Sequence, residues 1–253
     1  MPRFAVVVAP ARYGPGNPSP PLPLVISPHG RGVRAITNAR LWRDLPARGD
    51  FAVVCPGGMG RRLPLHSWGF RGQIDDLARM PALVRAKRPW LRFDPARVFA
   101  VGGSMGGHET LLLIGRHPRL LAGAVAFDSV ADFGLRYAQF ARSPRGTMLQ
   151  GLARIEVGGT PRTKPDAYRL RSPIAWKTEI ADSGVPLQMW WSDADEIVVD
   201  QSTQSARLFR ELEDLGPSGR LEKRTGSWSH TAESYTRLQL PGAVTWLELV
   251  PDV

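Results

Sequence analysis

The residues best suited to chemistry are a serine and the glycines around it. Residues 102–106 read Gly-Gly-Ser-Met-Gly and contain the pattern Gly-x-Ser-x-Gly. An apolar run at 98–101 precedes them and a helical stretch follows, so strand, tight turn and helix are predicted in that order. Such a turn places the serine hydroxyl at the positive end of the helix, where negative charge can develop. The pattern predicts that Ser104 is a nucleophile for acyl transfer.

A serine nucleophile needs a base, and histidine is the usual base near neutral pH. His108 and His117 lie on the predicted helix after the serine, where they cannot fold back onto its oxygen. His29 and His66 lie in loops early in the chain. His230 follows the last predicted strand, in the loop where a hydrolase of this strand order places its base. We predict that His230 is the base and that the other four are surface or hydrogen-bonded side chains.

A carboxylate should hold the imidazole in the required tautomer. Asp195 follows the predicted strand 186–192 and lies between the serine and the histidine in the chain. The order serine, aspartate, histidine is that of α/β hydrolases rather than of chymotrypsin or subtilisin. Asp193 and Glu196 are rivals in the same loop, and Asp128, which follows another strand, is a more distant rival.

The tetrahedral intermediate of acyl transfer needs two backbone N–H donors for its oxyanion. Met105 directly follows the serine, so its N–H is the first predicted donor. The second is expected in the loop after the predicted strand 24–27, with Arg31 preferred and Gly32 as the alternative. Three aromatic residues are candidate walls of the substrate pocket: Trp191, Tyr137 and Phe140.

The elements that position these residues alternate between short apolar runs and longer amphipathic stretches. The predicted strands are Phe4–Ala9, Leu24–Ser27, Phe51–Cys55, Val98–Gly102, Ala122–Phe127, Pro186–Ser192 and Leu221–Arg224. The predicted helices are Gln73–Trp90, with a kink or restart at Pro81, Met105–Arg116, and Thr203–Leu215, which Gly216 ends.

This alternation predicts an α/β fold with a mostly parallel sheet and helices on both faces. We expect one domain over residues 1–253, because α/β folds often use more than 200 residues as one unit. The segment 128–185 is less regular and longer than a simple crossover, and it is expected to form a small cap or rim.

Composition excludes several classes of protein. Of the 253 residues 43% are hydrophobic and 22% charged, which is typical of a globular protein rather than a disordered one. No apolar stretch approaches the roughly 20 residues of a membrane span, and residues 1–10 suit a first strand better than a signal peptide. The compartment stays open. Cys55 is the single cysteine, so no internal disulfide can form.

The net charge of +10 would attract polyanions, but the basic residues are scattered along the chain and no nucleic-acid-binding motif is present. We therefore expect no nucleic acid as partner, and the sequence leaves the oligomeric state open. There is no phosphate-binding glycine loop, and His108-Glu109 lacks the second histidine of a zinc protease motif. Neither a cofactor nor a metal is expected.

The chain resembles the α/β-hydrolase superfamily over nearly its whole length. The motifs that carry the resemblance are PHGRG (28–32), GGSMGG (102–107), SDADEIV (192–198) and GSWSH (226–230). The segment 168–174 is similar to the prolyl oligopeptidase branch and its esterase relatives. In that branch the acid stands three positions before the valine of a G-x-x-D-x-x-V run. Here Ser192 replaces the glycine and Val198 closes the run, so the resemblance favours Asp195 over Asp193.

The resemblance implies a serine hydrolase that cleaves small acyl, acetyl or aromatic-acid esters, or polyesters, through an acyl-serine. It departs from the peptidases of that branch in that no propeller domain precedes the hydrolase unit in this sequence. Two alternatives remain at this point. One is a serine peptidase of the prolyl oligopeptidase type, and the other is a non-catalytic homologue that binds polyanions.

Overall fold

The central element of the fold is a β-sheet. The computed structural model describes residues 4–143, 145–230 and 235–250 and, of Thr236, the backbone alone. Within this part of the chain the sheet has 7 strands in the order β1-β3-β2-β4-β5-β6-β7. They are β1 (Ala5–Val8), β2 (Leu22–Ile26), β3 (Ala52–Pro56), β4 (Phe93–Gly103), β5 (Gly123–Phe127), β6 (Leu187–Ser192) and β7 (Leu221–Gly226). β1 pairs antiparallel with β3, and every other pairing is parallel.

The predicted strands and the predicted fold class are confirmed. The inner strands are apolar because both faces are covered: Leu24 and Ile26 point into one core cluster and Val25 into the other. β4 begins five residues earlier than predicted, since its first half is mostly exposed and contains Pro95, so it lacks the apolar run of a buried strand. Residues 1–3 of the predicted amino-terminal stretch lie outside the described residues.

The helices are short and lie on both sides of the sheet. They are α1 (Ala35–Leu41), α2 (Leu45–Gly49), α3 (Arg71–Ala78), α4 (Met80–Lys87), α5 (Met105–Arg116), α6 (Phe133–Gln139), α7 (Gly146–Val157), α8 (Pro165–Arg169), α9 (Lys177–Asp182), α10 (Ser205–Leu215) and α11 (Leu240–Trp246). The restart predicted at Pro81 is the break between α3 and α4, where proline occupies the first turn of the new helix. Gly216 ends α10 in the left-handed conformation, with φ of 66°.

Two helical layers bury the two faces of the sheet. Apolar side chains of α3, α4, α5, α9 and α10 fill the first core cluster, and those of α1, α2 and α11 fill the second. None of the helices in the described part of the chain has the length and apolar character needed to span a bilayer.

The segment 128–185, which is called the cap below, contains α6, α7, α8 and α9. Its first three helices share a third, smaller apolar cluster. In this cluster Phe133, Phe140 and Tyr168 pack with Trp68 and with Met105, the first residue of α5. The cap is therefore anchored beside the turn that carries Ser104. Its last helix, α9, instead belongs to the layer that covers the sheet.

Candidate active site

Ser104 lies on a strained turn between β4 and α5. Its backbone has φ of 57° and ψ of −122°, a conformation that residues other than glycine rarely adopt. The flanking glycines permit the turn: a Cβ on Gly102 would lie 2.5 Å from the carbonyl oxygen of Gly106, and one on Gly106 would lie 2.3 Å from that of Pro28. The hydroxyl therefore stands on a rigid turn at the amino end of α5.

His230 and Asp195 form a buried pair, with 8% and 7% of their surface exposed. The Nδ1 atom of His230 lies 2.9 Å from both carboxylate oxygens of Asp195. Because Nδ1 faces a carboxylate, it carries the proton, and Nε2 is left with a free lone pair. Such a tautomer can accept a proton from a serine hydroxyl.

The carboxylate of Asp195 is itself held in place. Its Oδ1 accepts the backbone N–H groups of Ile197 at 2.9 Å and Val198 at 2.8 Å, and its Oδ2 accepts Nε2 of Gln201 at 3.0 Å. Donors on both oxygens fix the orientation of the carboxylate toward the histidine.

Ser104 and His230 line the same cleft, which has a volume of about 270 Å³. Gly30, Arg31 and the apolar side chains of Val33, Leu41, Ile197 and Tyr235 form other parts of its wall. The structure thus brings the predicted nucleophile, base and acid to the carboxyl ends of β4 and β6 and the loop after β7, around one cleft.

The rival acids have other surroundings. Asp193 and Glu196 are exposed, and no hydrogen bond joins either side chain to His230 among the described residues. Asp128 is buried, but its oxygens accept the backbone N–H of Ser192 at 3.1 Å and Nε1 of Trp228 at 2.8 Å. Burial raises the pKa of Asp128 to about 6. Asp128 therefore holds the loop that carries His230, and it does not hold the imidazole ring itself.

Ligand atoms of Asp128, Asp195 and His230 lie within 4.8 Å of one another, a spacing that could hold a metal ion. The carboxylate oxygens already accept N–H groups, from Ile197, Val198 and Gln201 at Asp195 and from Ser192, Trp228 and Gln239 at Asp128. A cation there would face these hydrogens, so the donor set fits an oriented histidine better than a metal ion.

Two backbone N–H groups of residues near Ser104 are available as donors to an oxyanion. Among the described residues, those of Arg31 and Met105 have no hydrogen-bond acceptor, whereas the N–H of Gly32 donates to the carbonyl of Leu65 at 3.0 Å. Gly32, the alternative donor, is therefore occupied. Arg31 lines the cleft and Met105 begins α5, so both stand beside Ser104.

His29 fixes the loop that presents Arg31. It is fully buried; its Nε2 accepts the N–H of Gly58 at 2.8 Å and its Nδ1 donates to the carbonyl of Gly30 at 2.7 Å. Both nitrogens are used within the fold, and burial lowers the pKa of His29. Its role is structural, which the sequence position alone could not show.

The two histidines therefore predict different defects. We expect His230→Ala to lower turnover by several orders of magnitude, because His230 is the one histidine, among the described residues, that lines the cleft with Ser104. We expect His29→Ala to lower turnover much less and to lower the free energy of unfolding by about 1–3 kcal/mol, because the buried N–H of Gly58 loses its acceptor. Turnover and urea unfolding of both variants measure these effects. A larger loss of turnover in His29→Ala than in His230→Ala would show that His29, not His230, is the base.

The three predicted pocket residues have different positions. Phe140 lines a small cavity that reaches Ser104. Tyr137 lies in the cap, where its hydroxyl accepts Nη1 of Arg154 at 3.2 Å. The prediction for Trp191 is wrong: its side chain is 6% exposed and packs against Phe209 in the core. Helices cover both faces of the sheet, so a tryptophan at the end of β6 meets α10 rather than substrate.

Another buried acid, Glu109, lies on α5 behind the turn. Its carboxylate accepts the hydroxyl of Ser67 and Nε2 of Gln73 at 3.4 Å, and burial raises its pKa to about 7 from an ordinary 4.5. Between these two pH values the folded state holds a proton that the unfolded state has lost. Glu109 therefore makes stability fall as pH rises through this window.

Replacing Glu109 by glutamine removes that titration. We expect wild type, relative to Glu109→Gln, to lose up to roughly 3 kcal/mol of unfolding free energy between pH 5 and pH 8. Urea unfolding at both pH values measures the difference, with Glu213→Gln, an exposed position on α10, as the control. An identical pH dependence in wild type and Glu109→Gln would contradict this account of the buried carboxyl.

The chain matches a known protein family. The model of the prolyl oligopeptidase family matches residues 71–231, which is more than half of the chain and includes Ser104, Asp195 and His230. The chain belongs to the prolyl oligopeptidase family. The resemblance inferred from the sequence motifs is thus confirmed, and so is the α/β-hydrolase fold. A comparison with curated protein sequences finds no match.

Solved structures share the fold at low sequence identity. The acylaminoacyl peptidase of Pyrococcus horikoshii is 16% identical with a TM-score of 0.66, and the match covers 96% of this chain and 38% of the peptidase. The S-formylglutathione hydrolase of Staphylococcus aureus is 16% identical with a TM-score of 0.67, and the match covers 97% of this chain and 92% of the hydrolase. The S-formylglutathione hydrolase of Agrobacterium tumefaciens is 15% identical with a TM-score of 0.67, and the match covers 96% of this chain and 88% of the hydrolase. This chain therefore spans well under half of the length of the peptidase.

Proposed function

We propose that this protein is a serine hydrolase that cleaves small carboxylic esters through an acyl-serine intermediate. The observation that carries the proposal is the shared cleft, in which Ser104 stands with a histidine whose Nδ1 is bound to the carboxylate of Asp195. Nucleophile, base, orienting acid and two free N–H donors are together the set that acyl transfer requires.

In the first half of the reaction, Oγ of Ser104 attacks the ester carbonyl while Nε2 of His230 takes the hydroxyl proton. The N–H groups of Met105 and Arg31 donate to the developing oxyanion, each contributing roughly 3 kcal/mol to lowering the barrier. The C–O bond to the alcohol then breaks, and His230 gives its proton to the leaving oxygen. In the second half, His230 deprotonates a water molecule that attacks the acyl-serine. The bond between the acyl carbon and Oγ of Ser104 then breaks, His230 returns its proton to Oγ, and the acid leaves.

Three features favour small esters over peptides. The cleft volume of about 270 Å³ lies below the roughly 300–1,000 Å³ of sites for drug-sized ligands. Its walls at Val33, Leu41 and Ile197 are apolar, and none of the described residues that line it offers an acidic side chain for a peptide amino terminus. The two S-formylglutathione hydrolases match this fold over most of their own length, whereas the peptidase is more than twice as long as the match.

A panel of chromogenic substrates tests the proposal. We expect turnover of 4-nitrophenyl acetate and butyrate, little turnover of aminoacyl 4-nitroanilides, and loss of activity after a serine-directed phosphonate. Anilide turnover that exceeds ester turnover would identify a peptidase instead. Phosphonate-resistant ester hydrolysis would remove the serine mechanism altogether.

A further inference from the structure

The cap carries a buried arginine that the mechanism does not use. Arg136, on α6, is 4% exposed, and its guanidinium carbon lies 4.5 Å from the ring centre of Phe140. Its Nη2 donates to the carbonyl of Ile197. Its Nη1 is buried and has no hydrogen-bond partner, and no carboxylate among the described residues lies within ion-pair distance of the group.

A buried guanidinium without an ionic partner destabilises the folded protein. Burial lowers the pKa of Arg136 to about 10, so the group is still a cation at neutral pH. Asp195 lies close enough to favour the charge, but its carboxylate is engaged by His230 and by three N–H donors. Buried arginines normally have carboxylate partners, so a partner for Nη1 is missing from the described chain.

The position of Arg136 shows which part of a substrate could supply that partner. Arg136 and Phe140 line a cavity of about 20 Å³ together with Ser104 and Met105. This inner cavity shares Ser104, Arg31 and Ile197 with the main cleft, but His230 lines the main cleft alone. The leaving alcohol must lie beside His230, which protonates it, so the inner cavity is on the acyl side of the serine.

We propose that Arg136 binds a carboxylate on the acyl group, so that the preferred substrates are monoesters of short dicarboxylic acids. This inference rests on the proposed ester hydrolysis and names its substrate class. The acyl chain is short because the guanidinium and Ser104 line the same inner cavity of about 20 Å³, which leaves room for the terminal carboxylate while the chain lies in the adjoining main cleft. The side chain of Arg31 at the same cavity adds a second positive charge, which would repel the ammonium group of a peptide amino terminus.

The test compares the 4-nitrophenyl monoester of glutarate with two neutral esters of similar length, 4-nitrophenyl pentanoate and glutaramate. Wild type should show a kcat/KM for the glutarate ester about tenfold to a hundredfold above those of the neutral esters. Buffer without protein supplies the rate of uncatalysed hydrolysis for each ester.

Variants then locate the effect. In Arg136→Gln the ratio of the glutarate to the pentanoate kcat/KM should fall at least about tenfold. In Arg136→Lys part of the ratio should return, because the charge is kept while the paired donors are lost. Arg154→Gln, which removes an exposed cation from the same cap, should leave the ratio unchanged.

The outcomes separate this inference from the proposed function. If no ester is turned over, the proposed function fails, and calorimetry with monomethyl glutarate and the Ser104→Ala protein still decides whether Arg136 binds a carboxylate. Equal rates on charged and neutral esters in wild type overturn the inference even if Arg136→Gln does not fold. If Arg136→Gln slows all three esters equally, Arg136 only positions the loop of Ile197, and the inference is overturned as well.

Discussion

Ser104→Ala should abolish ester hydrolysis, lowering kcat by roughly four to six orders of magnitude. The reason is that no other hydroxyl stands on the turn between β4 and α5 with the His230 imidazole in the same cleft. The cleft and the oxyanion donors remain, so a small residual rate above that of free solution is expected. Initial rates with 4-nitrophenyl butyrate measure the effect.

A second serine provides the control for this variant. Ser129 is buried near the same turn, and its hydroxyl donates to the carbonyl of Phe127 at 3.4 Å. Ser129→Ala should keep its kcat within about tenfold of wild type, since a single weak hydrogen bond is lost. The circular dichroism spectrum and the Tm show whether each variant is folded. A folded Ser104→Ala protein with wild-type turnover would falsify the nucleophile assignment.

Asp195→Asn should lower kcat about ten-thousandfold, the effect expected when a triad carboxylate is neutralised with its geometry kept. Oδ1 accepts two backbone N–H groups and Oδ2 accepts only the side-chain amide of Gln201, which can rotate, so the amide nitrogen is favoured at the Oδ2 position, 2.9 Å from Nδ1 of His230. An N–H facing Nδ1 moves the imidazole proton to Nε2. The base then has no lone pair for the serine proton.

Two matched variants test the choice of acid. Asp193→Asn should change kcat little, because Asp193 is exposed and, within the described part of the chain, only its backbone N–H is hydrogen-bonded, to the carbonyl of Gly226. Asp128→Asn should have an intermediate effect, since it disturbs the bond to Trp228, two residues before His230. If Asp193→Asn or Asp128→Asn proved more damaging than Asp195→Asn, another carboxylate would hold the imidazole.

Features with a local signature were predictable from the sequence. The buried strands appear as apolar runs because the sheet is covered on both faces, and the turn at Ser104 appears as glycines because its backbone approaches other backbone closely. The choice of Asp195 followed from the resemblance to the prolyl oligopeptidase branch, and the structure places its carboxylate, rather than those of its rivals, against His230.

Features that depend on packing between distant segments were not predictable. Arg136 is buried by contacts with Ile197, 61 residues away, and nothing in its neighbours marks it. The same holds for His29, whose partner Gly58 is 29 residues away. Trp191 was misplaced for a related reason, because only the placement of α10 decides whether the end of β6 faces substrate or core.

The central claim is that an acyl group is transferred to Ser104, and trapping followed by mass spectrometry tests it most directly. The protein is treated with a 4-nitrophenyl phosphonate, residual ester activity is measured, and the modified peptide is sequenced. We expect one phosphonyl group per chain, carried by Ser104. Activity should be lost in proportion to labelling, and Ser104→Ala should not be labelled. Complete loss of activity with the label on another residue, or full activity in the labelled protein, would contradict it.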